Sequence, residues 1–248
     1  MKNAHRSFSH LSPKNIPAQG CVQESGDAVS RVYDSVKQQV ICCEFQPGER
    51  LNIETIAEAL EVSATPVRET LNRLVAEDLL ELVPRIGFFM RPVIEGAVRE
   101  LYELNFSLLN WAVDLARVES EEIPHVASGE RPIYLRSGNL ARAKSPEAIA
   151  QDTGSMFCNL AVQAGNHELL ARISSINDRL FYVRQVDAFC SKNAEHRVTR
   201  LQNAITEKKY DQVKALLIEY HNECLLVLRN VVKTLRMADP KRLKAVPV

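Results

Sequence analysis

The stretch ERLNIETIAEALEVSATPVRETLNRLVAEDLL, residues 49–80, decides the fold of the N-terminal part of the chain. Apolar residues recur at helical spacing over 53–60, and Asn52 stands before them where a helix N-cap is needed. The following segment, 61–64, is too short to be anything but a turn. This part of the stretch therefore predicts a short helix that leads into a tight turn.

A second helix and a hairpin follow directly. Thr65 is followed by proline, which is typical of an N-cap and the first helical position, and the apolar spacing continues to Glu77. Two apolar runs, 79–83 and 88–93, then flank a turn that contains Gly87. Such runs around a glycine-containing turn predict a β-hairpin.

An amphipathic helix precedes the motif. Valines at three- and four-residue spacing predict a helix over 27–43, which Pro47 and Gly48 end. Helix, helix, tight turn, helix and hairpin make up a winged helix-turn-helix, in which the third helix enters the major groove of DNA. We therefore predict a DNA-binding domain over residues 27–93.

The rest of the chain has helical periodicity, apart from a segment at 123–144 that Pro and Gly interrupt into short helices and loops. Long helices are predicted over 95–117, 146–163, 167–191, 194–207 and 210–235. The core-facing stripe of the first is predicted to be Val98, Leu101, Leu104, Leu108, Trp111 and Leu115. The predicted fold class is mainly α, with the winged helix-turn-helix followed by a C-terminal antiparallel all-helical bundle over 94–236. Residues 1–26 are expected to form a flexible arm and 237–248 a tail.

Composition limits the possible functions. The 248 residues are 46% hydrophobic and carry a formal net charge of zero. No run approaches the ~20 apolar residues of a membrane span, and no apolar secretion signal or catalytic motif is visible, so we expect a cytoplasmic protein that is not an enzyme and has no membrane partner. Residues 27–93 hold seven Lys and Arg against eleven Asp and Glu, a net charge of −4. This balance excludes a broad basic DNA surface and favours the alternative of an adaptor that does not bind DNA.

Several short motifs occur together at fixed spacing, and their combination resembles the GntR family of bacterial regulators. In the N-terminal part they are Val32-Tyr33, Gln46-Pro47-Gly48-Glu49-Arg50-Leu51, Ile56-Ala57, Val62-Ser63, Thr65-Pro66-Val67-Arg68-Glu69, Leu71, Arg73-Leu74 and Gly87. The C-terminal part resembles the FadR-type helical effector domain (FCD) through Glu100-Leu101-Tyr102-Glu103-Leu104, Ala164-Gly165-Asn166, Glu195-His196 and Tyr220-His221. The resemblance implies a homodimer, commonly a repressor, on a palindromic DNA operator. It also implies a small-molecule effector, often a carboxylate, inside the bundle.

The candidate DNA-binding residues are Arg50, Ser63, Thr65, Arg68, Arg73 and Gly87. Arg68 falls in the first turn of the third helix, where arginine can donate two hydrogen bonds to guanine. Ser63 and Thr65 offer hydroxyls and helix-terminal amides to phosphate. Two alternatives stay open, since Arg73 can pair with Glu69 or Glu77 and Arg50 can simply brace the fold. By resemblance, Ala64 stands where many members have arginine, so the operator sequence is expected to differ.

The candidate effector-binding residues are Asn105, Thr153, Phe157, His196 and His221. The resemblance implies an aspartate and a histidine metal ligand at the places of Thr153 and Phe157, so we expect no metal and no other cofactor. The alternative is a metal-dependent sensor that uses His196 and His221 with an unusual third ligand. The resemblance also implies an arginine at Asn105 that meets a ligand carboxylate. The arginines open to supply the missing charge are Arg172, Arg179 and Arg184.

Overall fold

The structure is a computed structural model that describes residues 26–122 and 144–237. In these ranges the elements are α1 (Gly26–Ile41), β1 (Arg50–Leu51), α2 (Ile53–Ala59), α3 (Ala64–Ala76), β2 (Leu80–Val83), β3 (Gly87–Met90), α4 (Glu95–Glu122), α5 (Pro146–Gln163), α6 (His167–Cys190), α7 (Ala194–Thr206) and α8 (Tyr210–Met237). The predicted fold class, a winged helix-turn-helix followed by a helical bundle, is confirmed. The loops expected at 123–143, nearly all of the arm and nearly all of the tail lie outside the described residues. No helix of the described part is long and apolar enough to cross a membrane.

The N-terminal half holds a small antiparallel sheet in the order β1-β3-β2. The hairpin predicted from the two apolar runs is present, and it pairs Leu80 with Met90 and Val83 with Gly87. Strand β1 adds to the free edge of β3, with Arg50 opposite Phe89. This third strand was not predicted, because a strand of two residues is too short for an alternating pattern.

The recognition helix α3 begins earlier than predicted. Its N-cap is Ser63 rather than Thr65, so Thr65 is the second helical residue and Pro66 the third. Proline is tolerated there, because the first N–H groups of a helix have no partner within the helix. The predicted cap of α2 is confirmed, since the Asn52 side chain accepts hydrogen bonds from the N–H groups of the two residues that follow Ile53.

The C-terminal half is a bundle in which α5 packs along α6 and α4 packs along α8. Helix α5 has the predicted bounds, and the others differ by a few residues at their C-terminal ends. Gly165 adopts a φ of +64° after α5, a conformation that favours glycine, and Asn166 then caps α6. These turn signals explain why the boundary between α5 and α6 was predictable.

Helix α4 has two apolar faces, and the predicted core stripe mixed them. The residues that it buries are Val98, Leu101, Tyr102, Asn105, Leu109, Ala112, Val113 and Ala116. Leu104 and Trp111, which were expected in the core, are each 50% exposed. Leu108 and Leu115 are only partly buried. The prediction failed because a helix with two apolar faces does not reveal from its sequence which face packs within its own chain.

Candidate DNA interface and ligand site

The exposed face of α3 carries the polar groups expected to meet DNA. Val67, Leu71 and Leu74 fix the opposite face in the core, where all three are fully buried. Thr65 and Arg68 are exposed, as predicted. Asn72 is exposed one helical turn beyond Arg68 and was not predicted, although its i, i+4 spacing from Arg68 was a usable signal. Arginine and asparagine are the side chains best suited to reading guanine and adenine in the major groove.

The wing places Arg50 directly above Gly87. Gly87 has a φ of +134°, and a Cβ atom on it would lie 3.3 Å from Nε of Arg50. Glycine is therefore favoured by the backbone conformation, and the lack of a Cβ atom leaves room for the Arg50 side chain to lie against it. Arg50 is exposed, and Arg85 at the tip of the hairpin is exposed with a φ of 65°. Arg85 is a further cation of the wing that the sequence analysis did not single out.

Arg73 takes part in a polar cluster, although its side chain is 63% exposed. Its Nε donates to Glu77 at 3.1 Å, and its guanidinium lies 3.7 Å from the ring centroid of Tyr33. The ion pair that the sequence left as an alternative is therefore present. The Tyr33 hydroxyl and Lys37 both donate to Glu77. Burial favours a higher pKa for Glu77, but these hydrogen bonds outweigh it and lower the pKa.

The same cluster joins the two halves of the chain. Lys37 on α1 pairs with Asp178 on α6 at 2.8 Å, and the Asp178 side chain is only 5% exposed. Burial raises the pKa of Asp178 to about 6, against the opposing effect of Lys37. Arg179 lies 3.8 Å from Asp78, which follows α3. Helix α6 is thus attached to the DNA-binding half through neighbouring residues.

Asn105, Phe157 and His221 meet in the bundle core. Nδ1 of His221 donates to the carbonyl of Leu217 at 2.8 Å, so Nε2 accepts from the Asn105 amide at 3.3 Å. Burial lowers the pKa of His221 to about 4, and the ring is neutral at physiological pH. Phe157 lies parallel to His221 with 6.3 Å between ring centroids, and Tyr220 is edge-on to both rings. The structure thus brings together three of the predicted effector residues.

The other two predicted residues behave differently. Thr153 is buried one turn before Phe157, but its hydroxyl donates to the carbonyl of Ile149 at 2.7 Å. His196 is exposed, whereas its neighbour Arg197 is buried, so α7 presents the arginine to the core. The alternative of a metal shared by His196 and His221 finds no support in this arrangement. Within the described ranges, no group of three or more His, Cys, Asp or Glu side chains could hold a metal ion.

Of the three arginines left open on α6, only Arg184 is buried. It is 3% exposed, Arg172 is exposed, and the Arg179 side chain is 27% exposed. The Nη1 group of Arg184 donates to Asn177 at 2.7 Å, and the guanidinium lies 5.1 Å from the Phe157 ring centroid. The resemblance implies an arginine in the core at the position of Asn105. In this chain the buried arginine is Arg184, on α6.

A second buried arginine, Arg197, forms two ion pairs. Arg197 donates to Asp187 at 2.5 Å and to Glu223 at 3.0 Å. Burial raises the pKa of Asp187, against the opposing effect of Arg197. This pair ties α6 to α7 and α8, and we interpret it as a structural ion pair.

Comparison with known proteins agrees with this architecture. The model of the bacterial regulatory proteins of the gntR family matches residues 28–90. The uncharacterized HTH-type transcriptional regulator YdhC of Bacillus subtilis (strain 168) is 32% identical, over 81% of this chain and 91% of that protein. The Nta operon transcriptional regulator of Aminobacter aminovorans is 29% identical, over 76% of this chain and 90% of that protein. The solved structure of E. coli McbR/YncC covers 82% of this chain and 97% of that one, with a TM-score of 0.56 at 18% identity, and so shares the fold.

The match to YdhC spans 212 residues, so it includes the helical half as well as the DNA-binding half. These relatives are regulators and not enzymes. The chain belongs to the gntR family of bacterial regulatory proteins and is a DNA-binding transcriptional regulator.

Proposed function

We propose that the chain is a dimeric repressor whose hold on a palindromic operator is released by a small organic effector bound inside the helical bundle. The observation that carries this proposal is the double role of α6. Its Arg184 contributes to the buried polar cluster of the bundle, and its Asp178 forms the buried ion pair with the DNA-binding half. One rigid element therefore touches both the ligand site and the DNA-binding domain.

The coupling distance is short. Arg184 lies six positions after Asp178 on α6, which corresponds to ~9 Å along a helix. Asn177 links the two sites, because it accepts a hydrogen bond from Arg184 and is adjacent to Asp178. A ligand that moves Arg184 shifts α6 against Lys37. We propose that this shift reorients the two recognition helices, with a coupling free energy of ~1–3 kcal/mol.

Dimerisation is supported by the second apolar face of α4. Its members recur at alternating spacings of four and three residues, which is the pattern of a helix–helix seam. They are Leu104, Leu108, Trp111, Leu115 and Val118. Trp111 and Val118 are 50% and 52% exposed, so the seam is open within one chain. A second copy of the chain supplies an identical face, and the resulting twofold symmetry matches a palindromic operator.

The proposed division of labour follows the predicted domains. Residues 27–93 bind DNA, and residues 94–236 bind the effector and dimerise. Arg68 and Asn72 are proposed to contact bases, while Arg50 and Arg85 contact the backbone from the wing. With recognition helices in successive major grooves, the half-sites are centred ~34 Å apart. Because the domain is acidic overall, these few cations must supply the salt-dependent part of the affinity.

The test is a fluorescence anisotropy titration on the DNA upstream of the gene that encodes the chain. The wild type is compared with Arg68→Ala and with Arg172→Ala, a matched control at an exposed position of α6. We expect Arg68→Ala to weaken binding by roughly 10- to 100-fold, the value of one bidentate base contact, and to leave non-specific binding largely intact. The control should bind as tightly as the wild type. Equal affinities for all three proteins would refute the assignment of α3 as the reading helix.

A further inference from the structure

A cavity of about 330 Å³ lies between the DNA-binding half and the helical bundle. Its wall is formed by the end of α1, by the segment 91–94 that joins β3 to α4, and by residues of α4 and α6. Asn105, Phe157 and His221 do not line it, so the cavity is separate from the buried cluster of the bundle. Its volume is at the lower end of the ~300–1,000 Å³ that is usual for small-molecule sites.

The wall of this cavity is mainly apolar. Ile41, Leu79, Met90 and Val98 line it and are each at most 7% exposed. Apolar surface in contact with water is unfavourable, so an apolar molecule gains free energy by displacing water from such a wall. Because the wall comes from both halves of the chain, that molecule would contact both halves at once.

The two arginines of the wall are already paired with a carboxylate. Arg91 donates to Asp78 at 2.7 Å, and Arg179 lies 3.8 Å from the same side chain. An anionic ligand would have to compete with Asp78 for both cations. Glu81 adds a further negative charge to the wall. The cavity therefore does not favour an anion.

Asp178 is the group of the wall with unused hydrogen-bonding capacity. Its Oδ2 atom accepts from Lys37 at 2.8 Å, whereas its Oδ1 atom has no donor among the described residues. Burial raises the pKa of Asp178 to about 6, so at pH 7.5 the carboxylate is ionised and only accepts hydrogen bonds. The Lys37 ammonium already balances its charge. The unused oxygen therefore needs a donor rather than a second cation.

We propose that this cavity binds a small neutral molecule with an apolar body and one O–H or N–H group that donates to Asp178. The site goes beyond the proposed function, whose effector lies in the bundle cluster. A molecule held here contacts α1, the segment 91–94 and α6 together. Its binding therefore favours the arrangement of the two halves that this structure shows.

The probes for the test are 4-fluorobenzyl alcohol and its methyl ether, which keeps the ring but cannot donate a hydrogen bond. Binding to the full chain is measured by ¹⁹F NMR relaxation at pH 7.5. For the wild type we expect a Kd of roughly 1–10 mM for the alcohol, as suits a molecule of this size. We expect the ether to bind roughly 3- to 10-fold more weakly, the value of one hydrogen bond.

Ala97→Phe tests the location of the probe. Ala97 lines the cavity but is exposed, so the larger side chain should occupy part of the cavity and leave the core intact. The matched control is Ala171→Phe, which makes the same change at an exposed position of α6 outside the cavity. We expect Ala97→Phe to lose binding of the alcohol and the control to bind it as the wild type does. Thermal unfolding checks that both variants are folded.

Three results would overturn the proposal. Equal binding of the alcohol to wild type and Ala97→Phe would place the probe elsewhere in the chain. Equal binding of the ether and the alcohol to the wild type would remove Asp178 as the partner. No binding of the alcohol below about 10 mM would show that the cavity does not take a molecule of this class. None of these results concerns the bundle cluster, so release of the operator by an effector bound there is tested separately.

Discussion

The neutral state of His221 has a measurable consequence for stability. Burial lowers the pKa of His221 from 6.5 to about 4 in the folded protein, because its Nε2 faces an amide in an apolar cluster rather than water. A group whose folded pKa is depressed contributes stability above its unfolded pKa and loses it as the pH falls through the folded pKa. The difference corresponds to about 3 kcal/mol, at ~1.4 kcal/mol per pKa unit, lost between about pH 6.5 and about pH 4.

The assay compares urea unfolding of the wild type and His221→Gln across this range of pH. Glutamine keeps a polar side chain at the position but does not titrate. The stability advantage of the wild type over the variant should therefore shrink by about 3 kcal/mol as the pH falls from 7.5 to 4. The stability of the wild type alone is not enough, because the titration of Asp178 changes the free energy of unfolding in the opposite direction over the same range of pH. Asp178 is present in both proteins, so its effect cancels in the difference between them. Its pKa is raised to about 6, so its contribution is present below its unfolded value of 3.8 and is lost as the pH rises through 6.

A difference that does not change with pH would refute the reasoning. It would mean that His221 titrates in the folded protein as it does in the unfolded chain. The ring would then be hydrated or paired with an acid, and the hydrogen bond from Asn105 to a neutral Nε2 would not exist. The imidazole signals followed by NMR over the same range provide an independent measure of the pKa.

Three further predictions concern the wing, the dimer and the joint between the halves. Gly87→Ala should lower the free energy of unfolding by ~1–3 kcal/mol and weaken operator binding, because alanine is strained at a φ of +134° and its methyl group would crowd Arg50. Thermal unfolding measures the first effect and anisotropy the second, and unchanged stability and affinity would contradict the prediction. Trp111→Glu should convert the dimer into a folded monomer in light scattering, whereas Leu226→Glu, which replaces a leucine that is 82% exposed and lies outside the seam, should stay dimeric. Asp178→Asn should reduce the effector response without loss of DNA binding, because it removes the carboxylate that pairs with Lys37 across the two halves. Anisotropy titrations with and without effector measure both properties, and an unchanged response would contradict the prediction.

Local sequence signals predicted most of the fold because they act over a few residues. Asn52 and Asn166 cap helices as their side-chain chemistry requires, and Gly165 marks a turn that needs a positive φ. The start of α3 failed for an equally local reason. Ser63 and Thr65 are both good N-caps, so the proline after Thr65 decided the prediction, although proline fits any position of the first turn.

The ligand site was predictable only in part, because burial of a polar residue is a property of packing rather than of sequence. Resemblance pointed to Asn105, Phe157 and His221, and the structure brings them together. The sequence could not select Arg184 over Arg172, because both faces of α6 mix charged and apolar residues. The seam of α4 was predicted to be core for a different reason, because α4 has a second apolar face that does not pack within its own chain.

The polar residues buried on α6 constrain how such a regulator works. Asn177, Asp178, Arg184, Gln185 and Asp187 are each at most 6% exposed. Burying polar groups on this scale costs free energy unless each is hydrogen-bonded, and apolar residues would pack the same volume at least as stably. Among the described residues, Arg184, Asp178, Gln185 and Asp187 each keep at least one buried polar atom without a hydrogen-bond partner, and the first two lie where α6 is proposed to exchange partners. We expect a helix whose buried polar groups are incompletely hydrogen-bonded to have only a small preference for one position. Under the proposed function, that small preference allows the binding energy of a small effector to move the helix, so the same residues that weaken the fold make the regulator responsive.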